Sequence, residues 1–386
     1  MNELHPLRYA AAATAARCVV EAAAITFVLI GTARGVSGRE LGILVACTSA
    51  PQIVTAPWLG ARLDASRHPG RTLAVMAAAV GGGVGLIGAG LGRAPILAVY
   101  TVAVAWSVAE PAIMGGLSGI ASRSTRPDGR IEAWDAVSYG GAAIVGQALV
   151  AGVTLAGSPT TVVVVLVVIT AGAATAIIRL PLRPPASGST PGRGRRAAGA
   201  ALRLMLEDRH LRSMTVLTTI SMSAFGGLAL AAVGLAQHTG RPAEAGSQLV
   251  LALAIGALAG SLAATRAGVS AAPMRWAASS VAVVGVAFAI STLGPWWLAI
   301  AGFALAGAAD GPLLVATFAQ RTARTPAELR ASVYTMAASL KIAGTALGAM
   351  LVGGFAERGG GTAGVLVLAG AQVLALVAAG ATATRF

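Results

Sequence analysis

From Thr161 to Ile178 the chain runs eighteen residues without a charged side chain. A helix needs about 20 mostly apolar residues to cross the hydrocarbon core of a bilayer, and this stretch is one of twelve of its kind. The others lie near 9–32, 40–60, 72–92, 95–120, 134–156, 213–236, 247–265, 275–293, 295–319, 331–355 and 363–382, with 159–179 enclosing the first. Across the 386 residues, 56% are hydrophobic and 11% charged, against roughly 25% charged in ordinary soluble domains. So few charges do not cover that much apolar surface in water, and disordered chains are polar rather than apolar. The blocks also lack the strict alternation of an outer-membrane barrel strand. The sequence predicts an all-α integral membrane protein with twelve transmembrane helices. Arg17 and Glu21 interrupt the first apolar run, which argues for a retained first helix rather than a cleaved signal peptide.

The net charge of +14 gains its meaning from position. Of 28 basic residues, 27 are Arg and one is Lys341. With the N-terminus placed inside, 21 arginines fall in cytoplasmic segments, eight of them between Arg179 and Arg212, and five fall on the opposite side. Positive charge marks the cytoplasmic side of membrane proteins. Both termini and the central linker are therefore expected in the cytoplasm, and the basic excess needs no nucleic acid. The Pro- and Arg-rich linker at 181–212 separates a 1–180 half from a 213–386 half, ending in an amphipathic lead-in.

The halves look duplicated. Arg123-x-x-Arg126 with Arg130 corresponds to Arg321-x-x-Arg324 with Arg330, Gly146 to Gly348, and Glu110-Pro111 to Asp310-Gly311-Pro312, at offsets of 198 to 202 residues. Four correspondences in one order favour a repeated six-helix unit. After the second apolar segment stands Gly60-Ala61-Arg62-Leu63-Asp64, followed by Arg67 and Gly70-Arg71. This loop is similar to the Gly-x-x-x-Asp-Arg-x-Gly-Arg signature of the major facilitator superfamily of secondary transporters, with extra residues between Asp64 and Gly70. Gly140, Gly141, Gly146 and Gly152 resemble the family's Gly-rich antiporter motif on helix 5 without its proline, while the loop at Gly260 to Gly268 lacks the Asp of a second signature. The chain thus resembles a transporter of the drug-efflux, proton-antiporter type. The resemblance implies two pseudo-symmetric six-helix bundles around a central cavity lined by helices 1, 4, 7 and 10. It also implies a cytoplasmic conformational latch built from Gly60, Asp64, Arg67, Gly70 and Arg71, the alternative being a simple topogenic Arg cluster.

Charges inside spans are costly, on the order of 2.5–3.5 kcal/mol each on insertion scales. Arg17, Glu21, Glu110 and Asp310 stand well inside apolar segments, and Lys341 lies roughly 16 Å into helix 11 at 1.5 Å per residue. Arg17 and Glu21, four apart, share a helix face. They read either as a self-neutralising pair or as a pair for which substrate or a proton competes. Glu110 and Asp310 each precede a proline that frees a backbone carbonyl. Low dielectric favours the protonated form of a carboxylate, the property a proton-coupling group requires; the alternative is a structural hydrogen bond to Arg17 or Lys341. Lys341 is expected to pair with Asp310. Gln52, Gln147, Ser221 and Ser223 read as cavity residues or as helix–helix hydrogen bonds, and Trp106 as cavity lining or core. Glu132 and Asp135 read as interfacial, and Trp296 and Trp297 as interfacial anchors.

Several chemistries are missing from the sequence: no phosphate-binding Gly-x-x-x-x-Gly-Lys run, no metal-ligand spacing among His5, His68, His210 and His238, and no nucleophile context. The expectation is a monomeric, non-enzymatic transporter in the cytoplasmic membrane with no cofactor. Its partners are lipid, protons and a small-molecule substrate, apolar or cationic, exported in exchange for protons. The alternatives are uptake of a sugar, amino acid or metabolite, and a non-transporting sensor or assembly factor of the same fold.

Overall fold

The computed structural model describes residues 4–64, 66–124, 130–183, 192–264, 266–326 and 329–384, and these are helical almost throughout. The chain divides into two compact units, Met1–Ser187 and Gly188–Phe386.

In the first unit, α1 (Pro6–Ala33) packs against α7 and α8. It ends at Gly35, whose φ of 73° is left-handed and suits glycine. A reciprocal cap then starts α2 (Gly38–Ser49): the Ser37 amide donates to the Glu40 carboxylate at 3.1 Å, and the Glu40 amide to Ser37 Oγ at 3.2 Å. Pro51 has no N–H, so the helix breaks and resumes as α3 (Gln52–Asp64). The Gln52 side-chain amide fills part of the gap by donating to the Thr48 carbonyl at 2.9 Å. α4 (Pro69–Gly90) follows. The next span is α5 (Ile96–Pro111), a π-helical turn at Ala112–Gly116 and α6 (Leu117–Arg123). Then come α7 (Arg130–Ala156) and α8 (Pro159–Ile178). Trp106 is core rather than cavity lining. It is buried, donates from Nε1 to the Val80 carbonyl at 3.0 Å and meets Phe27 edge-on at 6.5 Å. Gly83 makes room for it, since a Cβ there would stand 2.4 Å from the indole.

In the second unit, α9 (Gly192–Glu207) is the amphipathic lead-in. Ala201 and Met205 on α9 pack onto Val333 and Ala337 of α15. The Asp208 carboxylate caps α10 (Arg209–Gly226), accepting from the amides of His210 and Leu211 at 2.8 and 2.9 Å. α11 (Leu228–His238) continues α10 after a 47° bend at Gly226 and Gly227. There a Cβ would meet the Thr345 carbonyl oxygen at 1.8 Å and the Val352 side chain at 2.2 Å, so the two glycines admit a close neighbour. α12 (Gly246–Ala264), α13 (Pro273–Ile290) and α14 (Trp296–Arg324) follow. Trp297 is exposed at the start of α14, whereas Trp296 is buried with the Arg241 guanidinium 5.0 Å from its ring centre. Finally, α15 (Arg330–Thr384) is helical along its length yet doubles back. Gly344, Gly348 and Gly361 lie against Thr219, Ser223 and Gly234 in ascending order. Beyond Gly361, Gln372 meets Ser221, and the Ala379 carbonyl accepts from Ser213.

The α12–α14 contact shows what the abundant glycine does. A Cβ on Gly256, Gly260 or Gly307 would stand 2.0 Å from a carbonyl oxygen of the facing helix. In lipid, helices associate through such close backbone approach rather than through hydrophobic expulsion. Gly260→Val is expected to lower thermal stability by roughly 1–3 kcal/mol, the usual cost of overpacking. Thermal unfolding of the detergent-solubilised protein measures it, and an unchanged Tm would contradict the packing.

Ten helices among the described residues are long and apolar enough to cross a membrane, or eleven with the bent α10–α11 pair counted as one span. The expected twelve transmembrane helices thus compare with ten or eleven such helices among the described residues. The segment expected at 40–60 is split at Pro51 into helices of 12 and 13 residues, each shorter than a full crossing. Large apolar side chains point outward on the spans, Val164 and Val168 on α8 and Leu366, Val373 and Val377 on α15 among them, as lipid contact requires.

Candidate functional site

Arg17, wholly buried on α1, has its donors spent within the first unit. Nη1 donates to Asp135 Oδ1 at 2.8 Å and to Ser138 Oγ; Nη2 donates to Ser118 Oγ at 2.7 Å and to the Met114 carbonyl at 3.0 Å; Nε reaches the Ile113 carbonyl at 3.4 Å. The Tyr139 ring stacks 3.7 Å from the guanidinium, and the Tyr9 hydroxyl also donates to Asp135. The π turn after Pro111 explains two of these contacts. Its wider winding leaves the carbonyls of Ile113 and Met114 available to an external donor. Arg17 therefore pairs with Asp135, 118 residues away, and not with its helix neighbour Glu21. This corrects both the self-neutralising reading of Arg17 and Glu21 and the interfacial reading of Asp135. On α7, Asp135, Ser138 and Tyr139 fall at positions i, i+3 and i+4, one polar face on an apolar helix; that spacing was the signal for this network.

One turn along α1, half-buried Glu21 has a carboxylate with no hydrogen-bond partner among the described residues. Its backbone carbonyl accepts from Gln147 Nε2 at 2.7 Å. Beside it, Gly146 brings α7 against α1, since a Cβ there would stand 2.6 Å from the Cys18 carbonyl oxygen. Glu110, half-buried on α5, lies within electrostatic reach of Glu21. It accepts from Gln52 Nε2 at 2.6 Å, the same amide that caps the break before α3. The structure thus gathers Glu21, Glu110, Gln52 and Gln147 in one region of the first unit, beside but apart from the Arg17–Asp135 pair. Buried Gln147 keeps its Oε1 unpartnered.

In the second unit, Asp310 on α14 and Lys341 on α15 are half-buried and within electrostatic reach of each other. No ion pair within 4.0 Å joins them, so the expected direct pairing is absent. Lys341 also feels Arg321, which the sequence placed among the topogenic cytoplasmic arginines and which is only 4% exposed. Arg321 Nη2 reaches Thr218 Oγ1 at 3.4 Å, while its Nε is buried without a partner. Ser221 is a helix–helix bond: its hydroxyl donates to Gln372 Oε1 at 2.6 Å. Ser223 bonds back to the Ile220 carbonyl of its own helix.

Of the five latch residues, Gly60 ends no contact, Arg67 and Arg71 are exposed, and Gly70 lies against the end of α8. The side chain of Asp64, the centre of that reading, lies outside the described residues, as does that of Glu132. Among the described residues no cluster of His, Cys, Asp and Glu could hold a metal ion.

No protein-family model and no curated protein matches the sequence. Solved structures do match over nearly their whole length. The nucleoside transporter NupG is similar at a TM-score of 0.79 and 13% identity, with 99% of each chain covered. A bacterial homolog of the human lysosomal transporter Spinster, inward-facing and unoccupied, gives 0.70 at 15% identity over 98% of this chain and 96% of that one. A POT family transporter in complex with 5-aminolevulinic acid gives 0.69 at 11% identity over 97% and 95%. At such identities the likeness is one of fold. The chain is an all-α, multi-pass membrane protein with the fold of these transporters.

Proposed function

We propose that the protein is a secondary transporter of the cytoplasmic membrane, exporting a small organic solute by alternating access in exchange for protons. The observation that carries this reading is the separation of charges in the first unit. Arg17, the one cation nearby, is fully engaged by Asp135 and three helical segments. Glu21 and Glu110 are left inside the spans without an ion pair, Glu21 within electrostatic reach of Arg17 and Glu110 held only by a neutral amide. A carboxylate so placed exchanges protons at modest cost while an ion-paired one does not. Asp310, in reach of Lys341 but not bonded to it, is the corresponding group of the second unit. The similarity to NupG and the POT family transporter, named as transporters of nucleosides and in complex with a small acid, supports transport of an organic solute. The cytoplasmic placement of both termini follows from the arginine distribution.

Inverted vesicles with an acidic interior test coupling and direction together. Solute should accumulate only while the gradient stands. Accumulation in right-side-out vesicles with an acidic exterior would assign uptake instead, and indifference to the gradient in both would contradict proton coupling.

A further inference from the structure

Two arginines are buried among the described residues, and they are in opposite circumstances. Arg17 meets a carboxylate, two hydroxyls, three carbonyls and an aromatic face. Arg321 meets one threonine hydroxyl at the limit of hydrogen bonding, and its Nε meets nothing. A guanidinium offers five donors in a planar fork and stays charged under all ordinary conditions. Removing one from water without an acceptor is costly unless an anion joins it. The groups that face Arg321 do not supply that anion. Tyr334 on α15 stacks on Phe318 and directs its hydroxyl to Thr322 and the Phe318 carbonyl. Thr218 on α10 already donates to the Met214 carbonyl at 2.8 Å. Lys341 on α15, within electrostatic reach of Arg321, adds a second positive charge. Asp310 lies within electrostatic reach of Lys341 and forms no ion pair with either cation.

We infer that Arg321 and Lys341 form an anion-recognition site in the second unit, which binds the carboxylate or phosphate group of the transported solute. A hydroxyl-rich neutral solute would use the donors but leave both charges uncompensated. The planar fork of Arg321 suits a two-oxygen group, and Lys341 supplies a point charge from a second helix. This replaces the sequence-based expectation of an apolar or cationic cargo, and it rests on the transporter reading above.

The test is thermal unfolding of the full-length protein in detergent. Benzoate and glycerol 3-phosphate are compared with their neutral counterparts benzamide and glycerol. The anions should raise Tm and the neutral compounds should not. Arg321→Gln should weaken anion binding on the order of tenfold or more, as the loss of a charged hydrogen-bond pair does, and Arg321→Lys should restore part of it. In the absence of any anion, Arg321→Gln should unfold at the wild-type temperature or above it, because the variant removes a buried uncompensated charge. A lower Tm for that variant without ligand would make Arg321 a structural strut and overturn the site. So would a shift given in full by inorganic phosphate, or by phosphatidylglycerol, with the organic anions adding nothing. Gradient-driven flux of neutral or cationic solutes that Arg321→Gln leaves unchanged would also overturn the site while the transporter reading stands. Anion binding through Arg321 with no flux of any solute would overturn the transporter reading instead.

Discussion

Exchanging Glu110 for Gln and Asp310 for Asn in one protein is expected to abolish gradient-driven transport and leave the fold intact. Glu110 has one polar partner, the neutral Gln52 amide, and Asp310 has no bonded cation. Neither substitution therefore breaks an ion pair, and a glutamine at position 110 still accepts from Gln52. What disappears is the proton-binding group in each unit. Each net charge moved inward through 100 mV supplies about 2.3 kcal/mol. At about 1.4 kcal/mol per tenfold in concentration, that sustains a solute ratio of roughly 50-fold. Reconstituted double variant should reach only the equilibrium ratio set without a gradient, while its Tm stays near the wild-type value. Accumulation undiminished from wild type would remove these carboxylates from the coupling mechanism.

Asp135→Ala is expected to be the most destabilising single change in the first unit. It leaves Arg17, wholly buried, with a full charge and no counter-ion. Breaking a buried pair from one side costs roughly 3–5 kcal/mol. For a unit of this size each kcal/mol is worth about 2–4 °C, so the Tm of the solubilised protein should fall by about 10 °C. Asp135→Asn keeps an acceptor for Arg17 and Tyr9 and should fall between. Removing both charges, as Arg17→Met with Asp135→Leu, should cost less than the sum of the single changes, because the two residues share one interaction. Strict additivity would mean that the pair is not the element holding α1 to α7.

The sequence made the spans legible because a membrane helix carries its signal within itself: about 20 apolar residues, flanked by arginine on one side. Thr161 to Ile178 needs no partner to be read. The breaks were harder. Pro51 and Gly226–Gly227 stand in plain view, but prolines and glycines are common in these helices. Pro312 sits inside an unbroken α14, whereas Pro111 leads into a π turn. What decides is the neighbour: Gln52 bridging Thr48 and Glu110 in one case, Thr345 and Val352 crowding the glycines in the other. Arg17, Glu21, Glu110, Asp310 and Lys341 were named from sequence as charges inside the spans, and their partners were not. The local i, i+4 relation drew Arg17 to Glu21, yet a tertiary carboxylate 118 residues away holds it. Arg321 was hidden for a different reason. It shares its spacing with Arg324 and Arg330, which do sit at a helix end, and only the packing of α10 and α15 around it removes it from water. The surroundings of Glu110 and Asp310 differ, since one meets a neutral amide and the other lies within electrostatic reach of Lys341.

The central claim is that this chain exchanges solute for protons. Proton flux out of proteoliposomes carrying a pH-sensitive dye, recorded on external addition of the solute giving the largest thermal shift, tests it most directly. Wild-type protein should show a solute-dependent proton current that the Glu110→Gln, Asp310→Asn variant lacks. Solute flux with no accompanying proton movement, or the same proton current in both proteins, would contradict the account.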